Sequence, residues 1–175
     1  MNLSARKLAW SGVLIALAIV LKLPILSVPN VEFFTFVIFS SGYLLGMIEG
    51  MIVGVISMSV YTSIITPYGL PPLPIALAQV FSMATIGFAG GLIYRLQLLN
   101  LFKSYLPYLI TGLLGLTLTL VYDLLTNLAV AYVMGQFIPV MIASIPFVAL
   151  HLFSNFIIFL VFTPLLLRIS KVRPV

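Results

Sequence analysis

The stretch Pro67-Tyr68-Gly69-Leu70-Pro71-Pro72-Leu73-Pro74 decides how this chain divides. Four prolines in eight positions remove backbone donors and fix φ, so the stretch predicts a break in regular helix. Long apolar runs flank it on both sides. It carries no charge, and Tyr68, Leu70 and Leu73 are not the side chains of a soluble linker. A rigid, apolar, non-helical piece at the end of a membrane helix lies at the interface or folds over a cavity. The expectation is a stiff lid over a ligand pocket. Tyr68 would be its ligand contact, joining Tyr61 on one side to Gln79 on the other.

Composition sets the class. Of 175 residues, 63% are hydrophobic and 6% charged, against about 25% charged in a soluble domain. That is too little charge to solvate a water-exposed surface. The chain reads as a single all-α integral membrane domain, with room for about six to seven spans of about 20 residues. The net charge of +5 does not point to nucleic acid, because the basic residues cap apolar segments instead of forming a run with aromatics. There is no cysteine, which excludes disulfides, thiol catalysis and Cys-ligated metal. Arg6-Lys7 followed by an apolar run is similar to a signal peptide. A small-residue cleavage pattern is lacking and further spans follow, so this is read as a retained first helix.

Six helices are expected, over about 4–23, 31–45, 49–66, 74–96, 105–134 and 139–169. Ser4 is the expected N-cap of the first. Ala5, Ala9, Gly12 and Ala16 recur at helical spacing on one face, a small-residue face that lets another helix come close. Trp10 suits an interfacial anchor. Gly42, Gly46, Gly50 and Gly54 form a second small-residue stripe. Residues 31–65 are too many for one span, so a turn is placed at Gly46–Gly50, with tight contact between the two helices on either side. Pro146 and Pro164 are potential kinks in the sixth helix. With six spans, Arg6, Lys7, Arg95, Lys103, Arg168, Lys171 and Arg173 fall on one side and Lys22 alone on the other. The positive-inside rule makes the first side cytoplasmic, with both termini there. The expected location is a prokaryotic plasma membrane, crossed several times.

Ionisable residues within spans are the strongest functional signal. Asp123 sits near the centre of the fifth helix, where an aspartate costs roughly 2.5–3.5 kcal/mol on insertion scales. His151 sits near the centre of the sixth. Asn127 and Asn155 follow them at i,i+4, on the same faces. Counted from the outer ends, Asp123 and His151 are about 11 and 12 residues in, roughly 16–18 Å deep. The two can meet between adjacent antiparallel helices. Three readings stay open: a structural pair that satisfies itself, a ligand contact in a cavity, or a proton relay or catalytic dyad. Nearer the outer face lie Asn30, Glu32, Tyr61, Tyr68 and Gln79. Glu32 at a helix start also suits the macrodipole, and the tyrosines suit an aromatic belt. No GxSxG, HExxH, Walker or Gly-rich phosphate motif is present. One histidine and three carboxylates make a metal site improbable, and no enzyme activity is expected.

Taken together, these features resemble the S components of energy-coupling factor (ECF) transporters, the substrate-capturing membrane subunits of vitamin importers. The resemblance spans nearly the whole chain. It rests on the size, the six helices with cytoplasmic ends and Ser4-Ala5-Arg6-Lys7-Leu8-Ala9. It also rests on Asn30-Val31-Glu32 before the glycine-striped pair, and on Pro67–Pro74 followed by Gln79 and Gly87–Gly91. It implies an outward cavity, capped by the first, third and fifth loops, that binds a vitamin; the polar residues read above, Asn30, Glu32, Tyr61, Tyr68, Gln79, Asp123, Asn127, His151 and Asn155, are the candidates to line it. It implies docking of Ala5, Ala9, Gly12 and Ala16 on a transmembrane coupling subunit, with two ATPase subunits driving a toppling motion. The chain would hold no cofactor of its own. The order of motifs looks most like S components assigned to cobalamin, with riboflavin or another vitamin as the alternative. From a different class, a self-sufficient proton-coupled carrier would use Asp123 and His151.

Overall fold

The computed structural model describes residues 4–25, 30–65 and 69–172 and, among them, is all-helical. Six α-helices follow in order: α1 Ala5–Lys22, α2 Phe34–Leu45, α3 Met47–Val60, α4 Leu73–Arg95, α5 Leu106–Met134 and α6 Phe137–Ile169. A π-helical turn, Tyr61–Ile65, extends α3. Among the described residues, four helical segments are long and apolar enough to cross a membrane: Met47–Ile65, Leu73–Arg95, Leu106–Met134 and Phe137–Val172. α1 is 18 residues long but carries Arg6, Lys7 and Lys22. α2 has only 12 residues, about 18 Å of helix.

α2 is the centre of the fold. All twelve of its residues are buried, as an all-round apolar helix requires. It ends at Gly46, whose φ of 122° belongs to glycine. The expected turn over Gly46–Gly50 is therefore a single residue, and Met47 already begins α3. This places Glu49 in the first turn of α3. There its carboxylate lies over Gly46 and takes a 3.0 Å ion pair from Lys7 on α1.

The glycine stripe does more than join α2 to α3. A Cβ built at Gly42 would collide with the backbone of Gly87 and Gly91, one at Gly50 with Gly42 and Gly87, and one at Gly87 with Gly50. Three helices thus meet backbone to backbone, and α4 is the third. Spacing along the chain pairs α2 and α3 alone, because Gly87 stands 33 residues beyond Gly54 and no periodicity links them.

α4 starts at Leu73, one residue earlier than expected and inside the proline-rich stretch. Pro72 occupies the N-cap and Pro74 the first turn, where a proline has no intrahelical bond to lose. Leu70 and Leu73 are exposed. Pro67 and Tyr68, and with them the contact expected of the lid, lie outside the described residues, as does Arg173.

α5 and α6 form a close antiparallel hairpin. Gly112 and Gly115 of α5 face Phe156 and Phe159, and Thr111 bonds Thr163 hydroxyl to hydroxyl at 2.6 Å. α6 runs unbroken through Pro146 and Pro164.

α1 buries Leu14 and Ala18 and turns Ala5, Ala9, Gly12 and Ala16 outward. A Cβ at Gly12 would meet nothing within 4 Å. Ser4 caps the helix, accepting from the Lys7 N–H at 3.3 Å. Trp10 packs half-buried against the core. The contacts of α1 through α6 place Lys7, Arg95, Lys103, Arg168 and Lys171 toward one end of the bundle. Lys22, Glu32, Tyr61 and the start of α4 lie toward the other.

Candidate functional site

A buried charged cluster lies between the ends of α1 and α3, the start of α2, and the middle of α5 and α6. Asp123 and His151 touch: His151 Nδ1 is 2.9 Å from Asp123 Oδ1 and 3.1 Å from Oδ2. The hairpin sets this contact. Thr111–Thr163 and Asp123–His151 are the same number of residues apart on both helices, so one antiparallel register makes both pairs. The short turn at Gly135-Gln136 keeps it.

The other ring nitrogen, His151 Nε2, lies 3.6 Å from Glu32 Oε1 and has no hydrogen-bond partner. Glu32 precedes α2 and is 7% exposed. It pairs with Lys22 from the last turn of α1 and accepts the Thr35 hydroxyl at 3.2 Å. The Lys22 ammonium sits 4.2 Å from the Tyr61 ring centroid and 5.1 Å from that of Phe34, close enough for a cation–π attraction. Tyr122 meets the His151 ring edge to face at 6.0 Å. A row Lys22–Glu32–His151–Asp123 therefore alternates in charge or hydrogen-bonding sense, walled by Tyr61 and Tyr122. Such an arrangement can hold a proton between two carboxylates.

Of the residues named from sequence, Glu32, Tyr61, Asp123 and His151 come together here, while Gln79 on α4 keeps its Oε1 withdrawn from solvent and without a hydrogen-bond partner. Asn155 stands beneath them, donating to the His151 carbonyl at 3.3 Å, with its own Oδ1 unpaired. Asn30 does not join. It adopts φ 59°, its amide donates to the Phe147 carbonyl at 2.8 Å, and its carbonyl accepts the Ser154 hydroxyl at 2.8 Å. It clasps the segment before α2 to α6. Asn127 also stands apart, in a cleft of about 320 Å³ between α5 and α6 that Asp123 shares. Sequence reasoning missed Lys22, Thr35 and Tyr122. Lys22 had a signal of its own, as the one basic residue away from the positive end. Among the described residues no group of three His, Asp or Glu side chains is arranged to hold a metal.

No protein-family model matches the chain, and neither curated proteins nor solved structures give a match.

Proposed function

We propose that the chain is a solute-capturing membrane subunit of the energy-coupling-factor type, which takes up a vitamin and hands it to partner subunits. In this reading all six helices belong to the membrane domain, α2 as its buried centre, and both termini are cytoplasmic. The observation that carries it is the alternating row Lys22–Glu32–His151–Asp123. Four ionisable groups are kept within an apolar bundle, at a cost that intramembrane charge justifies chiefly by function. The ends of α1 and α3, the start of α2 and the facing middles of α5 and α6 all supply a residue, as a binding site between helices requires. The basic residues at the opposite end support the orientation. The outward turn of Ala5, Ala9, Gly12 and Ala16 supports a docking face on α1, since small residues admit a close partner helix. ATP would come through two partner ATPase subunits.

The order of motifs favours cobalamin, with riboflavin or another vitamin as the alternative.

The test separates capture from coupling. Ala9→Trp should abolish co-purification with the coupling subunit, while the variant keeps the wild-type affinity for its vitamin. Loss of both together, or of neither, would refute this division of labour. A second reading, a proton-coupled carrier, draws on the same Asp123–His151 contact. It requires gradient-driven uptake by the isolated chain in liposomes without ATP, and loss of that uptake in Asp123→Asn.

A further inference from the structure

Lys22 stands in the last turn of α1, next to Leu23, which is exposed. A lysine at such a helix end ordinarily lays its stem along apolar surface and carries its ammonium out to water. Here the ammonium turns inward. The side chain is 13% exposed and meets the Glu32 carboxylate at Oε2, with the Tyr61 ring centroid at 4.2 Å and that of Phe34 at 5.1 Å. The two ring centroids lie 6.0 Å apart, the rings tilted by 53°, so they form two walls of a cage with the carboxylate as its third. The carboxylate is held from behind. Its other oxygen, Oε1, accepts the Thr35 hydroxyl at 3.2 Å and faces His151 Nε2 at 3.6 Å. The cage and its occupant are anchored differently. Phe34 is fully buried in α2 and Tyr61 continues α3, two helices locked together at Gly42 and Gly50. Lys22 comes from α1, which packs on α2 and α3 and buries two residues, Leu14 and Ala18.

We infer that Glu32, Tyr61 and Phe34 form a recognition site for a primary ammonium group, which Lys22 fills when no solute does. A small protonated amine takes its place, donating an N–H to Glu32 Oε2 with its charge against the two rings. Lys22 then turns out to the water at the helix end. A neutral alcohol lacks the charge and a quaternary ammonium lacks the N–H, so each satisfies only part of the site. This site goes beyond the importer reading, since it needs neither a vitamin nor partner subunits.

Three probes test it: n-propylammonium, its neutral isostere 1-propanol, and tetramethylammonium. Binding is measured by equilibrium dialysis against the full chain in nanodiscs, with empty nanodiscs subtracted for partition into lipid. A tethered lysine competes at an effective concentration on the order of millimolar, so Lys22→Ala should bind n-propylammonium at least about tenfold tighter than wild type. In that variant n-propylammonium should also bind at least about tenfold tighter than 1-propanol, with tetramethylammonium between them. Adding Tyr61→Leu should weaken the amine at least about threefold, and adding Glu32→Gln should remove its preference over the alcohol. Equal affinity of Lys22→Ala for amine and alcohol would overturn the inference. So would binding no tighter than in wild type, tightest binding of tetramethylammonium, or an amine preference that survives Glu32→Gln. Lys22→Ala leaves Glu32 without its counter-charge. If the variant unfolds alone, n-propylammonium chloride should restore its thermal unfolding midpoint where equal sodium chloride does not, and rescue by both salts alike or by neither overturns the inference as well. Amine selectivity without vitamin capture leaves this site standing and removes the importer role, whereas vitamin capture without amine selectivity overturns this site alone.

Discussion

Glu32→Ala is expected to destabilise the protein by about 3–5 kcal/mol, the cost typical of removing one partner from a buried ion pair. Lys22 and Glu32 both have side chains largely withdrawn from solvent. Without the carboxylate, the Lys22 ammonium keeps the rings of Tyr61 and Phe34 but no counter-charge. His151 Nε2 loses its nearest acceptor at the same time. The double variant Lys22→Met, Glu32→Leu should recover most of the loss, because replacing a whole buried pair by apolar groups is often neutral. Denaturation of both variants in the same detergent measures the difference. A cost under about 1 kcal/mol for Glu32→Ala would mean a solvated surface pair. Full recovery in the double variant with loss of ligand binding would assign the pair to function more than to the fold.

Gly87→Leu carries the second large effect. Gly87, Gly50 and Gly42 bring three backbones together, and any side chain at 87 must drive α4 away from α2 and α3. Overfilling a well-packed interior costs typically 1–3 kcal/mol when side chains can shift. Here the obstacle is backbone, so the expected cost is at least about 3 kcal/mol. Gly12→Ala is the matched control. A Cβ there meets nothing, so the variant should be stabilised by up to about 1 kcal/mol from helix propensity. Thermal unfolding of the two side by side checks both, and equal effects would contradict the three-helix junction.

Much of the framework is legible in the chain itself. Composition and apolar runs give an all-helical bundle, and the helix limits differ from expectation by only a few residues. Asp123 and His151 were placed at matching depth by counting from the ends of two helices joined by a tight turn. The structure puts them in contact for the same reason, a fixed register. Tertiary convergence was not readable. Lys22 looked like a loop-edge charge because its partner Glu32 lies across a non-helical segment, where no periodicity applies. Asn30 looked like a ligand group, but its amide and carbonyl are taken by α6, more than a hundred residues away. Gly87 and Gly90 carried no visible link to the stripe at Gly42–Gly54, because helix–helix contact between distant segments leaves no spacing in the chain. The proline-rich stretch marked a true boundary, displaced by one residue because Pro74 is tolerated in a first helical turn.

Capture of a vitamin at the site built around Asp123 and His151 is tested by calorimetric titration of the purified chain with a vitamin panel. One-to-one binding of a single panel member in the nanomolar range is expected, weakened at least about a hundredfold, about 2.7 kcal/mol, in His151→Leu. No binding to any member, or equal affinity in wild type and His151→Leu, would contradict it.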